Sequence, residues 1–174
     1  DLIDRQYVTA TGGTITTSGD YKIHTFDSSG TFTVSNAGNS AGSDKVDYMV
    51  IAGGGGGGTD SGSGGGVGSG GGGAGGFRES VPNPAAWTAS PLASSGGSLS
   101  GGGSGPAPGG NGSGGSQSVF STITSAGGGA GLGNPNSPTG DGPGGSGGGG
   151  TYNESGGSGN TPPVSPPQGN NGES

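Results

Sequence analysis

The sequence predicts a mainly β protein with essentially no α-helix, in which a small antiparallel β unit (residues 1–52) precedes a glycine-rich domain (residues 53–174). Residues 1–52 contain short runs of aromatic and β-branched residues separated by turn signals. Only six of the 52 glycines lie there, so 46 lie in the 122 residues that follow. Hydrophobic residues make up 22% of the 174-residue chain. This is too few to bury an ordinary core along its whole length.

A β-hairpin is the first element that the N-terminal part predicts. Tyr21–Phe26 is rich in aromatic and β-branched residues, and Thr31–Ser35 alternates strictly, with Phe32 and Val34 on one face. Asp27–Gly30 lies between these runs and has the composition of a turn. The spacing therefore predicts two paired strands with a four-residue connection.

Further strands are predicted on either side of this hairpin. Val46–Ala52 is the most apolar run of the chain, and Thr14–Thr17 is a shorter candidate before Gly19-Asp20. In the glycine-rich part, Ser118–Thr124 also has strand-like composition. The N-terminal elements add up to a unit of three to five strands, which alone is marginally stable because small sheets need a covering layer.

The glycine tracts allow three interpretations. Glycine- and serine-rich tracts are typical flexible linkers. Collagen requires glycine at every third position, which the run Gly53–Gly58 and the break at Thr59 exclude. Polyglycine II helices are the third possibility: they have three residues per turn and no internal hydrogen bonds, so they can bond laterally to one another where side chains are absent.

Packed polyglycine II helices are the interpretation that the tracts favour over a linker. Apolar residues separate the tracts, and Pro or Asn stands at the expected reversals, as in Pro106-Ala107-Pro108. The bundle predicts registers of inward-facing glycines at every third position. Two such registers are Gly53, Gly56, Gly62, Gly65, Gly68 and Gly71, broken at Thr59, and Gly142, Gly145 and Gly148. The Pro-rich end, Thr161–Pro167, is predicted to be extended.

The charge pattern excludes several classes of function. The net charge is −7, and the four cations, Arg5, Lys22, Lys45 and Arg78, are dispersed. Phosphate neutralisation, and with it nucleic-acid binding, is not expected, nor is attraction to an anionic membrane surface. The chain has no Cys, so it forms neither disulfides nor a Cys-based zinc site. No apolar run approaches the length of a membrane span.

No group of residues predicts catalysis, a cofactor or a metal. His24 is the only His; it lies in a predicted strand, where a structural role is expected, and no nucleophile–base motif accompanies it. Four acids are spread along the chain without a calcium-loop spacing. These are Asp27, Asp44, Asp47 and Asp60. No Gly-Lys-Ser/Thr follows any glycine tract. The sequence therefore predicts a protein that is not an enzyme.

Three aromatic residues lie between glycine tracts: Phe77, Trp87 and Tyr152. Such rings can stack on sugars or fill receptor pockets. They can equally plug the edges of the glycine bundle or contact a neighbouring subunit. The second interpretation is preferred, and no receptor-binding residue is assigned.

Several motifs together resemble one known family. They are Thr9–Ile15, Tyr21–Phe26, Gly30–Val34, Val46–Gly56, Gly72–Ser80 and Gly159–Gly169. They resemble the glycine-rich domain proteins of tailed phages, particularly marine and cyanobacterial phages, over nearly the whole chain. Members are longer, and this chain starts at Asp1 with no signal peptide, so a fragment truncated at its end is expected. A more distant similarity, of composition and design only, is to the glycine-rich adhesins at phage long tail fibre tips.

The resemblance implies a virion structural protein, fibre or adhesin-like, on the extracellular surface of the particle. Expected partners are other copies of the chain, with a trimer as the usual fibre state by analogy, other virion proteins and a host-surface glycan or protein. The alternative is a capsid decoration or self-assembling filament protein with no receptor role. An ice-binding protein is a third class, but it needs flat outward faces and strict triplets, which this chain lacks.

Overall fold

Two compact units make up the computed structural model, which describes residues 4–60, 62, 68–80, 97–98, 102–105, 109–133, 142–151 and 154–174. Across these residues there is no α-helix, and the regular elements are nine short strands. The predicted mainly β fold class is confirmed. The first unit contains the described parts of Asp1–Met49, Glu79–Leu99 and Val119–Ile123; the second contains those of Val50–Arg78, Ser100–Ser118 and Thr124–Ser174.

Two antiparallel pairs of strands form the start of the first unit, one nested in sequence inside the other. The outer pair is β1 (Val8–Thr11) with β4 (Thr33–Ala37), and the inner pair is β2 (Thr14–Ser18) with β3 (Tyr21–Thr25). The outer register shifts after Thr9, where a β-bulge interrupts the ladder. Each pair is a separate two-stranded sheet.

The predicted hairpin between Tyr21–Phe26 and Thr31–Ser35 is wrong, because β3 pairs with β2 and β4 pairs with β1. A tighter connection exists on the other side of β3, where Ser18 faces Tyr21 and only Gly19-Asp20 lies between them. Gly19 has a φ of 56°. Two-residue hairpin loops require positive φ and therefore favour glycine, so this turn determines the pairing.

A small aromatic cluster forms the core of the first unit. Phe32 is buried, and its ring centroid lies 5.1 Å from that of His24 and 6.1 Å from that of Phe120, both edge-on. Tyr48 lies 6.2 Å from Phe120. Offset and edge-on ring pairs of this kind add to the free energy of area burial, which is limited here because few apolar residues are buried.

The remaining strands are short. They are β5 (Met49–Ile51), β6 (Phe77–Glu79), β7 (Gly97–Ser98), β8 (Ser118–Phe120) and β9 (Ile123–Ser125); β5 neighbours β6, and β8 lies between β7 and β9. The predicted strand Val46–Ala52 is therefore shorter than expected, since Tyr48 N–H donates to the Ser80 side chain instead of to a ladder partner. The predicted strand Ser118–Thr124 is two strands, because the chain turns at Ser121, where φ is 56°.

The first glycine tract donates lateral hydrogen bonds to two other tracts with a period of three residues. We call residues 52–59 glycine helix A, 70–76 helix B, 110–116 helix C, 126–132 helix D and 142–150 helix E. In helix A the donors are Ala52, Gly55 and Gly58 toward helix B, and Gly53, Gly56 and Thr59 toward helix C. Every third residue thus returns to the same neighbour, as a helix with three residues per turn requires.

The same period recurs in the other tracts. Helix B donates to helix D in three bonds: Gly70 to Leu132, Gly73 to Gly129 and Gly76 to Ala126. Helix D donates back to helix A from Gly128 and Gly131, and helix E donates to helix B from Ser146 and Gly149. Lateral backbone bonds therefore replace a side-chain core, and the predicted packing of polyglycine II helices holds in the described part of the domain.

The Pro-rich end differs from the extended segment that the sequence predicts. The backbone bends at residues 159–162 and 165–166, and the peptide bonds before Pro162 and Pro166 are cis. Asn160, at a φ of 49°, bonds through its side chain to the backbone of Val164 and Gln168. These local side-chain bonds fold the segment into a loop.

Candidate functional site

Close backbone approach is the property that the glycine helices depend on. A Cβ atom added at Gly55, Gly58, Gly73 or Gly128 would lie within 3.0 Å of backbone atoms of a neighbouring helix, a separation that real Cβ atoms essentially never show. Because the obstructing atoms are backbone and not flexible side chains, the neighbour cannot step aside locally. Glycine at these positions is a steric requirement of the lateral bonds.

The two predicted inward registers differ in outcome. Gly142, Gly145 and Gly148 all meet backbone atoms closely at their Cβ positions, as inward-facing residues should. The other register is inward only at its start, since Gly68 and Gly71 are exposed and have no atom within 4 Å of the Cβ position. Its position Gly65 lies outside the described residues.

A buried amide, Gln168, ties the Pro-rich loop to the glycine helices. Its side chain is 3% exposed; Oε1 accepts from Ala126 N–H at 2.7 Å, and Nε2 donates to the Pro162 carbonyl at 2.9 Å. The Gln168 carbonyl accepts from Phe77 N–H at 3.0 Å. A single side chain thus satisfies buried backbone groups from two segments, as buried polar groups must. No signal in the sequence distinguished it from other polar residues.

Two buried serines, one at the start of β8 and one at the end of β9, have different surroundings. Ser125 is fully buried, and its hydroxyl donates to the Gly76 carbonyl. Ser118 is 1% exposed, yet among the described residues its hydroxyl has no hydrogen-bond partner. The Nε of Arg78 is likewise buried without a partner, although its guanidinium donates to the Thr124 carbonyl at 3.3 Å. An unmade buried hydrogen bond is destabilising.

His24 lies within the aromatic cluster of the first unit. Its Nδ1 is 2.8 Å from the Gly12 carbonyl; because a carbonyl can only accept, this is a hydrogen bond when Nδ1 carries the proton. The ring also packs edge-on against Phe32. Both contacts hold the imidazole as part of the fold.

The four acids singled out in the sequence lie apart. Asp47 accepts a hydrogen bond from Ser80 Oγ at 3.0 Å, and Asp60 accepts from Gly62 N–H at 3.3 Å. Asp27 and Asp44 are exposed. Nowhere in the described residues do three or more His, Cys, Asp or Glu side chains gather as metal ligands would.

Of the three aromatic residues between the tracts, Phe77 is 40% exposed and lies on β6. Trp87 and Tyr152 lie outside the described residues. A shallow depression of about 450 Å³ occurs elsewhere in the second unit, lined by residues 155–158 and 171–174. Its lining is made of glycine backbone, the polar side chains of Ser155, Ser158, Asn171 and Ser174, and the acidic Glu173, a surface the sequence did not predict.

Comparison with known families matches this chain to one recognised domain. The profile of the glycine-rich domain matches residues 25–174. The chain belongs to the glycine-rich domain family. The match begins at Thr25, the last residue of β3, and so covers 28 of the 52 residues of the predicted β unit as well as the glycine tracts. No curated protein and no solved structure matches the chain. The residues that the structure describes contain no helix long and apolar enough to cross a membrane.

Proposed function

We propose that the chain is a virion structural protein, fibre or adhesin-like, without enzymatic activity, which contributes to host-surface attachment at the extracellular surface of a phage particle. The observation that carries the proposal is the lateral bonding with a period of three residues. A lattice of backbone bonds keeps the ends of its helices in fixed relation, as a presenter of loops requires. The resemblance of the chain to phage proteins supplies the biological setting.

The proposed partners follow from the same lattice. The chain assembles with further copies of itself, with a trimer as the usual fibre state, and with other virion proteins. The Pro-rich loop, which Gln168 holds to the helices, exposes Pro163, Ser165 and Pro167 and offers one surface to a host glycan or protein. Nucleic acid and membrane insertion have no part in the proposal, given the net charge of −7.

A capsid decoration or filament protein without a receptor role is the second candidate. The two-stranded sheets favour it, because β2 is exposed at all five of its residues and carries neither Pro nor charge. Such unprotected strands tend to pair with other chains.

Binding and labelling experiments separate the two candidates. Fluorescent protein is added to host cells with and without competing surface glycans, and tagged protein is located on particles by electron microscopy. The adhesin-like role predicts saturable binding that glycans compete and a label at the fibres. A label spread over the capsid, together with normal adsorption of particles lacking the protein, contradicts attachment and supports decoration. The absence of any label on particles overturns both.

A further inference from the structure

A groove lies between glycine helices A and B, and the N–H groups along it form no lateral hydrogen bonds among the described residues. It is lined by Gly54 and Gly57 of helix A and by Gly72 and Gly75 of helix B. The amide nitrogens of Gly72 and Gly75 lie 3.8 and 4.0 Å from the Cβ positions of Gly57 and Gly54, respectively. We call these four residues the open groove. Each pair repeats at the same three-residue interval as the lateral bonds.

The N–H groups of the open groove have no partner within the described part of the chain, although the Gly54 carbonyl accepts from Gly103 N–H at 2.7 Å. Among the described residues, none of the four N–H groups donates a hydrogen bond, and Gly57 makes no hydrogen bond through either backbone group. Gly54, Gly57 and Gly75 are half-buried, and Gly72 is exposed. Backbone groups that are partly removed from water and left unpaired are destabilising, so a ligand that accepts these hydrogen bonds is favoured.

Packing among the residues that the structure describes does not explain glycine at positions 54 and 57. A Cβ there would lie 3.5 Å from the nearest atom, the Gly73 carbonyl oxygen or the Gly70 carbonyl oxygen, which is ordinary contact. Alanine at such positions commonly stabilises a fold, because it restricts the unfolded chain. In the same helix, Gly55 and Gly58 have no such room. A close approach from outside the chain would explain glycine at positions 54 and 57.

We propose that a glycine tract from a second copy of this chain docks in the open groove as a further polyglycine II helix. Its carbonyls, repeating every three residues, accept hydrogen bonds from Gly72 and Gly75, while the bare Cα atoms of Gly54 and Gly57 allow the backbone to approach. The interface continues the one that helices A and B already form with their neighbours. This inference rests on the self-assembly included in the proposed function.

The occupant follows from the chemistry of the groove. The periodicity of the donors fits a partner with one acceptor in every ~9 Å turn of three residues, which an extended β-strand of period two does not supply. Only a tract without side chains can approach as closely as the helices of the bundle do. The open groove has no charged side chain, so docking an uncharged glycine tract buries no charge.

Sedimentation velocity over a range of protein concentrations tests the proposal, with Gly54→Ala and Gly57→Ala singly and together. The matched control is Gly71→Ala, on the same helix pair but with nothing within 4 Å of its Cβ position. We expect the unaltered chain and the control to associate equally, and the double variant to associate at least about tenfold more weakly, which corresponds to about 1.4 kcal/mol.

Three results of these experiments decide separately whether docking in the open groove and self-assembly occur. If the double variant associates as tightly as the unaltered chain, the open groove is wrong but self-assembly stands. If the unaltered chain remains monomeric at every concentration, both fail. If the double variant does not fold, amide exchange on the unaltered chain decides: slower exchange of the Gly72 and Gly75 N–H groups at high concentration supports docking, and exchange independent of concentration overturns it.

Discussion

Two adjacent glycines of helix B give opposite predictions for the same substitution. Gly71 and Gly72 are both exposed, so accessibility alone would treat them alike. A Cβ at Gly71 meets nothing within 4 Å, whereas a Cβ at Gly72 would meet the Gly55 carbonyl and lie 2.8 Å from the carbonyl carbon of Gly56. Ordinary contact begins at 3.4 Å. We therefore expect Gly72→Ala to force helices A and B apart and Gly71→Ala to leave them in place.

The magnitude follows from the bonds between these helices. The Gly56 carbonyl carbon alone requires a move from 2.8 to 3.4 Å, and the closer Gly55 carbonyl requires a larger one. Even the smaller move takes the bond from Gly58 N–H to the Gly70 carbonyl, now 2.9 Å, to the edge of hydrogen-bonding range. Steric overpacking costs about 1–3 kcal/mol, and each weakened lateral bond adds about 1 kcal/mol. Gly72→Ala should therefore destabilise the fold by about 2–4 kcal/mol. Gly71→Ala should stabilise it by about 0.4–1 kcal/mol, because alanine restricts the unfolded chain.

Differential scanning calorimetry measures both variants beside the unaltered chain, at low protein concentration so that self-association does not contribute. At about 2–4 °C per kcal/mol for a chain of this size, Gly72→Ala should lower Tm by roughly 5–15 °C. Gly71→Ala should leave Tm unchanged or slightly higher. Equal Tm values for the two variants would refute the steric argument, whichever direction they moved.

Three further predictions use the same calorimetry. Ser118→Ala should be neutral or stabilise by up to about 1 kcal/mol because it removes an unpartnered buried hydroxyl, whereas Ser125→Ala should destabilise by about 1–2 kcal/mol; equal effects would contradict the assigned partners. Gln168→Ala should cost about 2–4 kcal/mol, since it leaves backbone groups unpaired away from water. Asn171→Ala should cost under about 1 kcal/mol, because Asn171 is exposed and water can replace its bond from Gly159 N–H. Gly19→Ala should cost about 1–2 kcal/mol from backbone strain alone, and Gly19→Asn clearly less.

The sequence predicts the fold class because that depends on composition and local signals. The glycine tracts and the β-branched runs are visible without coordinates, and both are present as expected. Which strands pair with one another is harder to predict from the sequence. A turn sequence lies on each side of the strand at Tyr21–Phe26. The hairpin forms across the two-residue turn at Gly19-Asp20 and not across the four-residue segment Asp27–Gly30, because the geometry of the shorter turn matches the twist of a hairpin.

The inward registers of glycine were only partly predictable for a related reason. A three-residue repeat tells which residues share a side of a helix, but not which side has a neighbour. Gly142, Gly145 and Gly148 face into the bundle, whereas Gly68 and Gly71 face outward. The role of Gln168 could not be foreseen, because it depends on bringing Ala126 and Pro162 together across the chain.

A scaffold made of backbone bonds separates stability from side-chain identity. In helix A, Gly55, Gly56 and Gly58 must stay glycine, because a Cβ at each would collide with the backbone of a neighbouring segment. An exposed position such as Gly71, with nothing within 4 Å of its Cβ position, can change without altering the lattice. A change at Gly55, Gly56 or Gly58 cannot be compensated by side-chain repacking, since the atoms that a Cβ would meet there are backbone. The proposed presenting role requires this division: a surface that can vary in sequence on a support that cannot.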